Sequence, residues 1–237
     1  MAELIISKAA VEHNAAIIRQ HIGPAQAIGV IKANGYGLGT TTLAQLLTGC
    51  GVQMLAVSEL EDGLTLRRCG FEQQLLLLTP LYDARQLEQA ISHNIIITLA
   101  SREGIQLAEQ IAEKLDCSAR AHLAIETGFG RYGFSSSKPQ EVVCAASACD
   151  RLRLCGVFSH LSDAAGRKTA HTQEQYRRLL AVTKALEAAG FSGLLRHLAN
   201  STAALRFDYT RLDAVRLGSA WLGRLPLRNQ WGLERVG

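Results

Sequence analysis

Short apolar runs alternate with longer amphipathic stretches along most of the chain. The apolar runs are rich in leucine and β-branched residues, and each is short enough to be a buried strand. Eight strands are predicted, at residues 27–31, 54–57, 74–78, 95–98, 119–125, 152–158, 194–198 and 214–217. Helical periodicity between them predicts helices at 41–47, 84–92, 102–115, 138–148 and 172–189, and Gly190 stands where a C-terminal helix cap is expected.

A strand followed repeatedly by a helix predicts a parallel sheet. In an α/β chain of 237 residues the leading solution is a (β/α)8 TIM barrel. A doubly wound open sheet is the alternative, but Gly35, Gly37 and Gly39 lack the spacing of a dinucleotide-binding turn. The pattern breaks after Gly218, so we assign residues 1–223 to the barrel and 224–237 to a linker or the start of a further domain.

Composition excludes several classes of function. The net charge is +4 and acidic and basic residues are interspersed, so a nucleic-acid partner is not supported. The six cysteines and seven histidines show no metal-ligand spacing, and no apolar stretch approaches the length of a membrane span. The first residues do not form a signal peptide, and scattered thiols are typical of a reducing compartment, so a cytoplasmic location is expected.

The first predicted strand is followed directly by a lysine, Lys32, and then by the glycine-rich turn Gly35-Tyr36-Gly37-Leu38-Gly39. A lysine desolvated at the end of a core strand becomes a nucleophilic amine, as Schiff-base chemistry with a carbonyl compound requires. The alternative is a side chain that extends from the strand end into solvent.

Polar residues also follow four later strands, in the segments 126–134, 159–163, 197–202 and 216–219. In a barrel these strand ends meet at one mouth, where active sites lie. Each segment has a simpler interpretation: Asn200-Ser201-Thr202 as a helix N-cap, His160 as a core histidine, and Arg216 as an ion-pair partner of Asp213 or Glu126. The helix N-terminus at 200–202 and the Gly-Ser turn at 218–219 are also places where backbone N–H groups bind an anion such as phosphate. A reactive amine, a phosphate site and an arginine suited to contact a heteroaromatic ring together indicate pyridoxal phosphate.

Five segments carry a resemblance to a known family. Residues 30–39 read Val-Ile-Lys-Ala-Asn-Gly-Tyr-Gly-Leu-Gly, and 126–133 read Glu-Thr-Gly-Phe-Gly-Arg-Tyr-Gly. With Phe-Ser-His at 158–160, His-Leu-Ala-Asn-Ser at 197–201 and Val-Arg-Leu-Gly at 215–218, they resemble the fold-type III, alanine-racemase-like family of pyridoxal-phosphate enzymes. The segment at 126–133 is similar to the family's Asp-Thr-Gly-Met-Gly-Arg-Leu-Gly. The resemblance covers the chain from residue 5 to about residue 226.

The resemblance implies roles for eight residues. Lys32 carries the cofactor as a Schiff base and is one of two bases at the amino acid Cα. Arg131 contacts a cofactor oxygen and the substrate carboxylate, and His160 stacks near the ring and supports Arg216. Arg216 faces the pyridine nitrogen, and a guanidinium there leaves that nitrogen largely unprotonated, which favours racemisation. The phosphate is held by Tyr36, Ser201, Gly218 and Ser219.

Two departures from the family pattern are visible. Ala124 stands where many family members have a lysine, carbamylated in some, seven positions before the arginine. The family's C-terminal β domain is also missing, and with it the tyrosine that serves as the opposite base across a head-to-tail homodimer. We therefore expect a racemase of a small amino acid, most simply alanine, whose barrel alone is inactive or very slow. A stand-alone barrel that binds pyridoxal phosphate without turnover, and a barrel with no cofactor, are the alternatives.

Overall fold

The computed structural model describes residues 5–227 and 230–236. Eight parallel strands follow one another around a barrel, in the order β3-β2-β1-β9-β8-β7-β5-β4, and a bridge between Leu76 and Ile96 joins its two ends. The strands are β1 Gln26–Ile31, β2 Met54–Val57, β3 Gln74–Leu77, β4 Ile97–Leu99, β5 Ala119–Glu126, β7 Leu152–Phe158, β8 Leu195–His197 and β9 Ala214–Leu217. A short extra strand, β6 Phe134–Ser135, pairs with the end of β5. The predicted (β/α)8 barrel is confirmed, and the open doubly wound sheet is wrong.

The helices surround the barrel. They are α1 Lys8–Ile22, α2 Ala33–Tyr36, α3 Thr40–Gly49, α4 Leu60–Arg68, α5 Ala84–Ser92, α6 Arg102–Lys114, α7 Pro139–Ala146, α8 Ala170–Ala188 and α9 Ser201–Arg206. Two 3-10 turns, Asp208–Thr210 and Ser219–Leu222, flank β9. The five predicted helices are present to within a few residues, and Gly190 follows α8 with φ of 93°.

Helix α1 was not among the predicted segments. It precedes β1 and packs against α3, α9 and the turn Ser219–Leu222, so it occupies the outer position that a helix after β9 would otherwise fill. Its buried face includes a fully buried asparagine, Asn14, whose side chain donates to the carbonyls of Trp221 (3.0 Å) and Glu234 (2.8 Å). A polar residue at the centre of that face weakens the apolar periodicity on which helix prediction depends.

The barrel interior is filled in layers. Ile28, Val30, Met54, Leu76 and Ala214 belong to an inner cluster, and the opposite faces of the strands pack against the helices. Burial on both faces explains why the strands read as continuous apolar runs. A smaller cluster of Ala100, Ala124 and Phe158 lies towards the carboxyl ends of the strands. The packed interior leaves the mouth at those ends as the place for a site.

The segment after the barrel returns along α1. Ser7 N–H donates to the Val236 carbonyl (2.9 Å), and the side chains of Leu233 and Val236 are buried. Of the predicted linker 224–237, residues 228–229 and 237 lie outside the described residues. None of the helices in the described part of the chain is long and apolar enough to cross a membrane.

Candidate active site

A cavity of about 610 Å³ opens at the carboxyl ends of the strands, within the usual size range of small-molecule sites. All eight residues predicted for the site line it. The lining residues are Val30, Lys32, Tyr36, Ser58, Leu78, Thr79, Arg131, Tyr132, Phe158, His160, Asn200, Ser201, Thr202, Arg216, Gly218, Ser219 and Pro226. The expected convergence of five strand ends is therefore found, whereas the roles of the individual residues stay predictions.

Lys32 directly follows the last residue of β1 and extends into the open cavity. It is exposed, and its Nζ lies 6.0 Å from the centroid of the Tyr36 ring. Lys32 is not desolvated at the strand end, and its side chain extends outward as in the alternative interpretation. The Lys32 side chain is therefore accessible to a ligand in the cavity, and the protein does not bury it.

The turn α2 directs Tyr36 into the site. Ala33, Asn34, Gly35 and Tyr36 all have φ between 49° and 61°, which makes this a left-handed turn. Such a turn is unfavourable for residues with a side chain, and asparagine tolerates it best. The Asn34 carbonyl accepts from two later N–H groups, at 3.0 Å and 2.9 Å, so the loop is held by its own backbone.

Tyr36, Ser201 and Gly218 meet in one corner of the cavity. A Cβ added to Gly218 would lie 1.8 Å from the Tyr36 hydroxyl oxygen, so only glycine allows this approach. Ser201 Oγ accepts from the N–H groups of Gly218 (3.0 Å) and Ala220 (3.3 Å). Burial raises the pKa of Tyr36 to about 12, so its hydroxyl remains a proton donor at neutral pH.

Several polar hydrogens in this corner have no acceptor. In the described part of the chain, the N–H groups of Ser201, Thr202 and Ser219 and the Tyr36 hydroxyl make no hydrogen bond. Asn200 caps α9 by accepting from Ala203 N–H (3.0 Å), so the helix-cap interpretation of this segment is correct. The Asn200 cap leaves the other N–H donors of this corner free, and such donors are suited to bind an anion such as phosphate.

Arg216 lies almost wholly inside the barrel, with 4% of its surface exposed. Its terminal nitrogens donate to five acceptors: the Ser159 carbonyl (2.6 Å), His197 Nδ1 (2.7 Å), the His197 carbonyl (3.1 Å), the Leu198 carbonyl (3.2 Å) and His160 Nδ1 (3.2 Å). Its Nε has no hydrogen-bond partner among the described residues, and Arg216 is one of the residues that line the cavity. Burial lowers the pKa of Arg216 to about 10, which leaves it charged at neutral pH.

The ion pairs considered for Arg216 from the sequence do not form. Asp213 is held instead by Arg196, whose Nε donates to Oδ2 at 2.7 Å. The Glu126 carboxylate is occupied by backbone N–H groups. Arg216 therefore carries a buried positive charge without a neighbouring carboxylate, which suits it to a ligand with an acceptor nitrogen or oxygen.

Three neutral histidines surround this guanidinium. Burial and the Arg216 charge lower the pKa of His160 to about 3, and the same causes lower that of His122 to about 3 and that of His197 well below its ordinary value. Because Arg216 can only donate, His197 Nδ1 accepts and its Nε2–H donates to His122 Nδ1 at 2.9 Å. His160 is thus tied to Arg216 rather than being an isolated core histidine.

Arg131 lies on the loop between β5 and β6. The Glu126 carboxylate gathers this loop by accepting from four consecutive N–H groups, those of Gly128, Phe129 (2.6 Å), Gly130 (2.8 Å) and Arg131 (3.1 Å). These bonds lower the pKa of Glu126 despite its partial burial, which alone would raise it. The Arg131 guanidinium carbon lies 4.7 Å from the ring centroids of both Phe129 and Tyr132.

Several lining residues were not predicted. Ser58 directly follows β2 and Thr79 lies two residues after β3, so their position at strand ends could have marked them. Tyr132 and Phe158 lie within the motifs at 126–133 and 158–160, but neither side chain is charged at neutral pH, so neither was selected as a site residue. His122 lies between apolar residues of β5, and a histidine in such a position is a sign of a buried polar contact. It was the feature of the sequence that pointed to the hydrogen-bonded series Arg216–His197–His122.

The charges of the cavity indicate the chemistry of its ligand. Lys32, Arg131 and Arg216 line it, and no carboxylate does so among the described residues. No group of three or more potential metal ligands occurs in the described ranges. Three cations, free N–H donors and a corner shaped by Gly218 fit a planar ligand that bears a phosphate and a reactive carbonyl, and they give a divalent cation no ligands.

Comparison with known proteins agrees with this geometry. The family model described as "Alanine racemase, N-terminal domain" matches residues 6–226. The chain belongs to this family. An alanine racemase of Desulforamulus reducens is 33% identical over 223 residues, which are 93% of this chain and 60% of that protein.

Solved structures show the same relation. The alanine racemase of a D-cycloserine-producing Streptomyces lavendulae superposes with a TM-score of 0.90 at 27% identity, covering 98% of this chain and 62% of that one. A histidine racemase of Leuconostoc mesenteroides superposes with a TM-score of 0.83 at 26% identity, covering 92% and 58%. The chain therefore spans about 60% of the length of these relatives and corresponds to their N-terminal barrel.

Proposed function

We propose that this chain is the cofactor-binding barrel of a pyridoxal-phosphate-dependent amino-acid racemase that interconverts L- and D-alanine by a two-base mechanism. The observation that carries the proposal is the single cavity in which a lysine, two arginines and the Tyr36–Gly218–Ser201 corner converge with no carboxylate. The names of the relatives support alanine as the substrate. A histidine racemase has the same barrel, so the fold alone does not select the amino acid.

Pyridoxal phosphate supplies an aldehyde that condenses with amines and a ring that spreads the negative charge developing at the amino acid Cα. Lys32 would be the amine that binds the aldehyde, and it would remove or return a proton at Cα on its own face. The Tyr36 hydroxyl, the Ser201 side chain and the backbone of Gly218 and Ser219 hold the phosphate. The Tyr36 hydroxyl and the Ser219 N–H are free donors in this corner, and Gly218 leaves the space that the corner needs.

Arg216 sets the protonation of the cofactor ring. With pyridoxal phosphate bound, the Arg216 guanidinium would donate a hydrogen bond to the ring nitrogen, and it would keep that proton at neutral pH. The neutral His160 and His197 fix the guanidinium by accepting from its other nitrogens. A ring nitrogen that stays unprotonated withdraws less charge, which favours rapid return of the proton over other reactions at Cα.

A racemase needs a second base on the opposite face of the substrate. In the described lining the Tyr132 hydroxyl donates to the Leu78 carbonyl (2.7 Å), the Tyr36 hydroxyl faces Gly218, and His160 accepts from Arg216. We assign none of them that role. The second base comes from a part of the racemase outside this chain, across a homodimer, and the chain alone is inactive or very slow.

The absence of a second base among the described residues also favours a second candidate, a barrel that binds pyridoxal phosphate without turnover. Deuterium exchange distinguishes the two. In deuterated water, the racemase barrel exchanges the α-hydrogen of one alanine enantiomer through Lys32 without inverting it. A carrier exchanges neither enantiomer faster than free pyridoxal phosphate does.

The cofactor site is tested first by absorption spectroscopy. The chain is mixed with pyridoxal phosphate, reduced with borohydride and mapped by peptide mass. We expect a visible band of lysine-bound cofactor and a label on Lys32, both lost in Lys32→Ala and retained in the matched surface variant Lys138→Ala. No band, or a label spread over surface lysines, would overturn the proposal.

A further inference from the structure

Arg131 is a cationic cavity residue without a charged partner. No described carboxylate forms an ion pair with its guanidinium, and the Glu126 carboxylate below it is saturated by backbone donors. The guanidinium carbon nevertheless lies 4.7 Å from each of two ring centroids, those of Phe129 and Tyr132. Both distances are within the range of cation–π attraction, so the rings hold the charge where it lies.

The rings themselves are fixed. The Tyr132 hydroxyl donates to the Leu78 carbonyl at 2.7 Å, which ties the ring to the end of β3. The Phe129 ring meets His160 edge-on, with centroids 5.1 Å apart and planes at 83°. Since His160 is in turn bonded to Arg216, Phe129 is supported by the buried part of the site.

The loop that carries them is compact. A Cβ on Gly133 would lie 2.7 Å from the Glu126 nitrogen and 2.9 Å from the Ala124 carbonyl oxygen, so the loop returns directly onto β5. Pairing of Phe134 with Ile125 closes it. Residues 129–132 therefore project from a closed loop of fixed shape.

Tyr132 also covers position 124. Ala124 is buried in the cluster with Ala100 and Phe158, and Tyr132 packs against that cluster. In the family segment this chain resembles, positions 129 and 132 are methionine and leucine, and many members have a lysine at 124. Here a small residue stands at position 124, and the rings of Phe129 and Tyr132 flank the arginine.

We propose that Tyr132 and Phe129 are positioning residues that hold the Arg131 guanidinium at the cavity for the carboxylate of an amino acid, in place of a lysine at position 124. This inference rests on the proposed function for its ligand. Binding of a carboxylate by this chain is then independent of carbon dioxide, because no lysine carbamate takes part.

The geometry is tested without cofactor. We expect the ring currents of the two neighbouring rings to shift the Arg131 Nε–H resonance upfield, and its assignment follows from its loss in Arg131→Lys. We expect Tyr132→Leu and Phe129→Leu each to move this resonance downfield, and Tyr132→Phe to leave it near its original position. A resonance that is unchanged in both leucine variants would overturn the proposal.

The binding role is tested with propionate, titrated into the chain loaded with pyridoxal phosphate and followed by the cofactor absorption. Tyr132→Leu is expected to weaken propionate about tenfold, the combined effect of one lost cation–π contact and a freer side chain. Tyr132→Phe keeps the ring and most of the affinity. The control Tyr82→Leu changes a tyrosine that is 56% exposed and outside the cavity, and it has no effect.

A reciprocal variant sharpens the test. The double variant Ala124→Lys, Tyr132→Leu has the lysine and the leucine that the family carries at these two positions. We expect added bicarbonate to strengthen propionate binding by this variant and to leave propionate binding by the unmodified chain unchanged. Bicarbonate dependence of the unmodified chain, or full affinity in Tyr132→Leu, would overturn the proposal. If the chain binds no pyridoxal phosphate, the proposed function fails, and the resonance measurement still decides whether the two rings hold Arg131.

Discussion

Two arginines line the same cavity and are held in opposite ways. Arg216 is 4% exposed and donates to five acceptors on the segments that follow β7 and β8. Arg131 is exposed, has no ion-pair partner among the described residues, and lies between two rings of its own loop. The first arginine is part of the folded core, whereas the second is attached to a surface loop, so we expect substitution of Arg216 to cost more stability than substitution of Arg131.

Among the substitutions, the largest effect is expected from Arg216→Ala. Removal of the guanidinium leaves the Ser159 and Leu198 carbonyls buried without this donor, while the His197 carbonyl keeps only the Ser159 N–H at 3.3 Å. Hydrogen bonds to a charged group contribute most among such bonds. We expect the free energy of unfolding of the cofactor-free chain to fall by about 3 kcal/mol in urea denaturation. Arg216→Lys does not restore it, since one ammonium cannot reach acceptors arranged around a planar fork. A loss below about 1 kcal/mol would contradict the buried network.

The sequence was sufficient for the barrel but not for this contrast. Eight apolar runs at regular spacing predict the strands, and strand ends in a barrel meet by geometry, so Lys32, Tyr36, Arg131 and Arg216 could be placed in one site. Burial at those ends was less predictable. The first strand ends at Ile31 as predicted, yet whether the next side chain, Lys32, is buried or exposed depends on tertiary neighbours that the sequence does not show, and in the structure it is exposed.

Partners across the barrel were also beyond the sequence. The bond between His122 and His197 joins residues 75 positions apart, and nothing local specifies it. The ion pairs considered for Arg216 were wrong because Asp213 has a nearer arginine and Glu126 has its own loop. Local motifs therefore located the site, while the tertiary neighbours determined which groups in it are charged, neutral or exposed.

The neutral histidines around Arg216 predict a loss of stability on mild acidification. The folded-state pKa of His122 is about 3 against an ordinary value of 6.5, so only the unfolded chain takes up this proton between those values. The contribution is complete above pH 6.5 and is lost as the pH falls, by about 1.4 kcal/mol per pH unit for each such histidine. His160 and His197 act in the same direction.

Urea denaturation at pH 7 and pH 5 tests this, in a window where carboxylates contribute little. His122→Gln keeps an acceptor for His197 and removes one titrating group, so its slope should be shallower by about 1.4 kcal/mol per pH unit. A stability that is level between pH 7 and pH 5 would show that the histidines take up protons in the folded chain.

Gly218→Ala tests the corner of the cavity formed by Tyr36, Ser201 and Gly218. The added Cβ would lie 1.8 Å from the Tyr36 hydroxyl oxygen, and such overpacking costs about 1 to 3 kcal/mol. We expect that loss in unfolding and weaker binding of pyridoxal phosphate in the absorption titration. Gly49→Ala is the matched control, since no atom lies within 4 Å of its added Cβ. Tyr36→Phe in the Gly218→Ala background should recover part of the stability, and no recovery would place the clash elsewhere.

The smallest effect on stability, and the sharpest contrast with Arg216, is expected from Arg131→Ala. The side chain is exposed, and the hydrogen bond that its residue makes to Glu126 uses the backbone nitrogen, which the substitution retains. The free energy of unfolding should therefore change by less than about 0.5 kcal/mol, as for surface substitutions in general. Propionate binding by the chain loaded with pyridoxal phosphate should be lost in the same variant. A loss of stability comparable to that of Arg216→Ala would mean that the two rings and Arg131 form part of the core, and the division between a structural and a ligand-binding arginine would not hold.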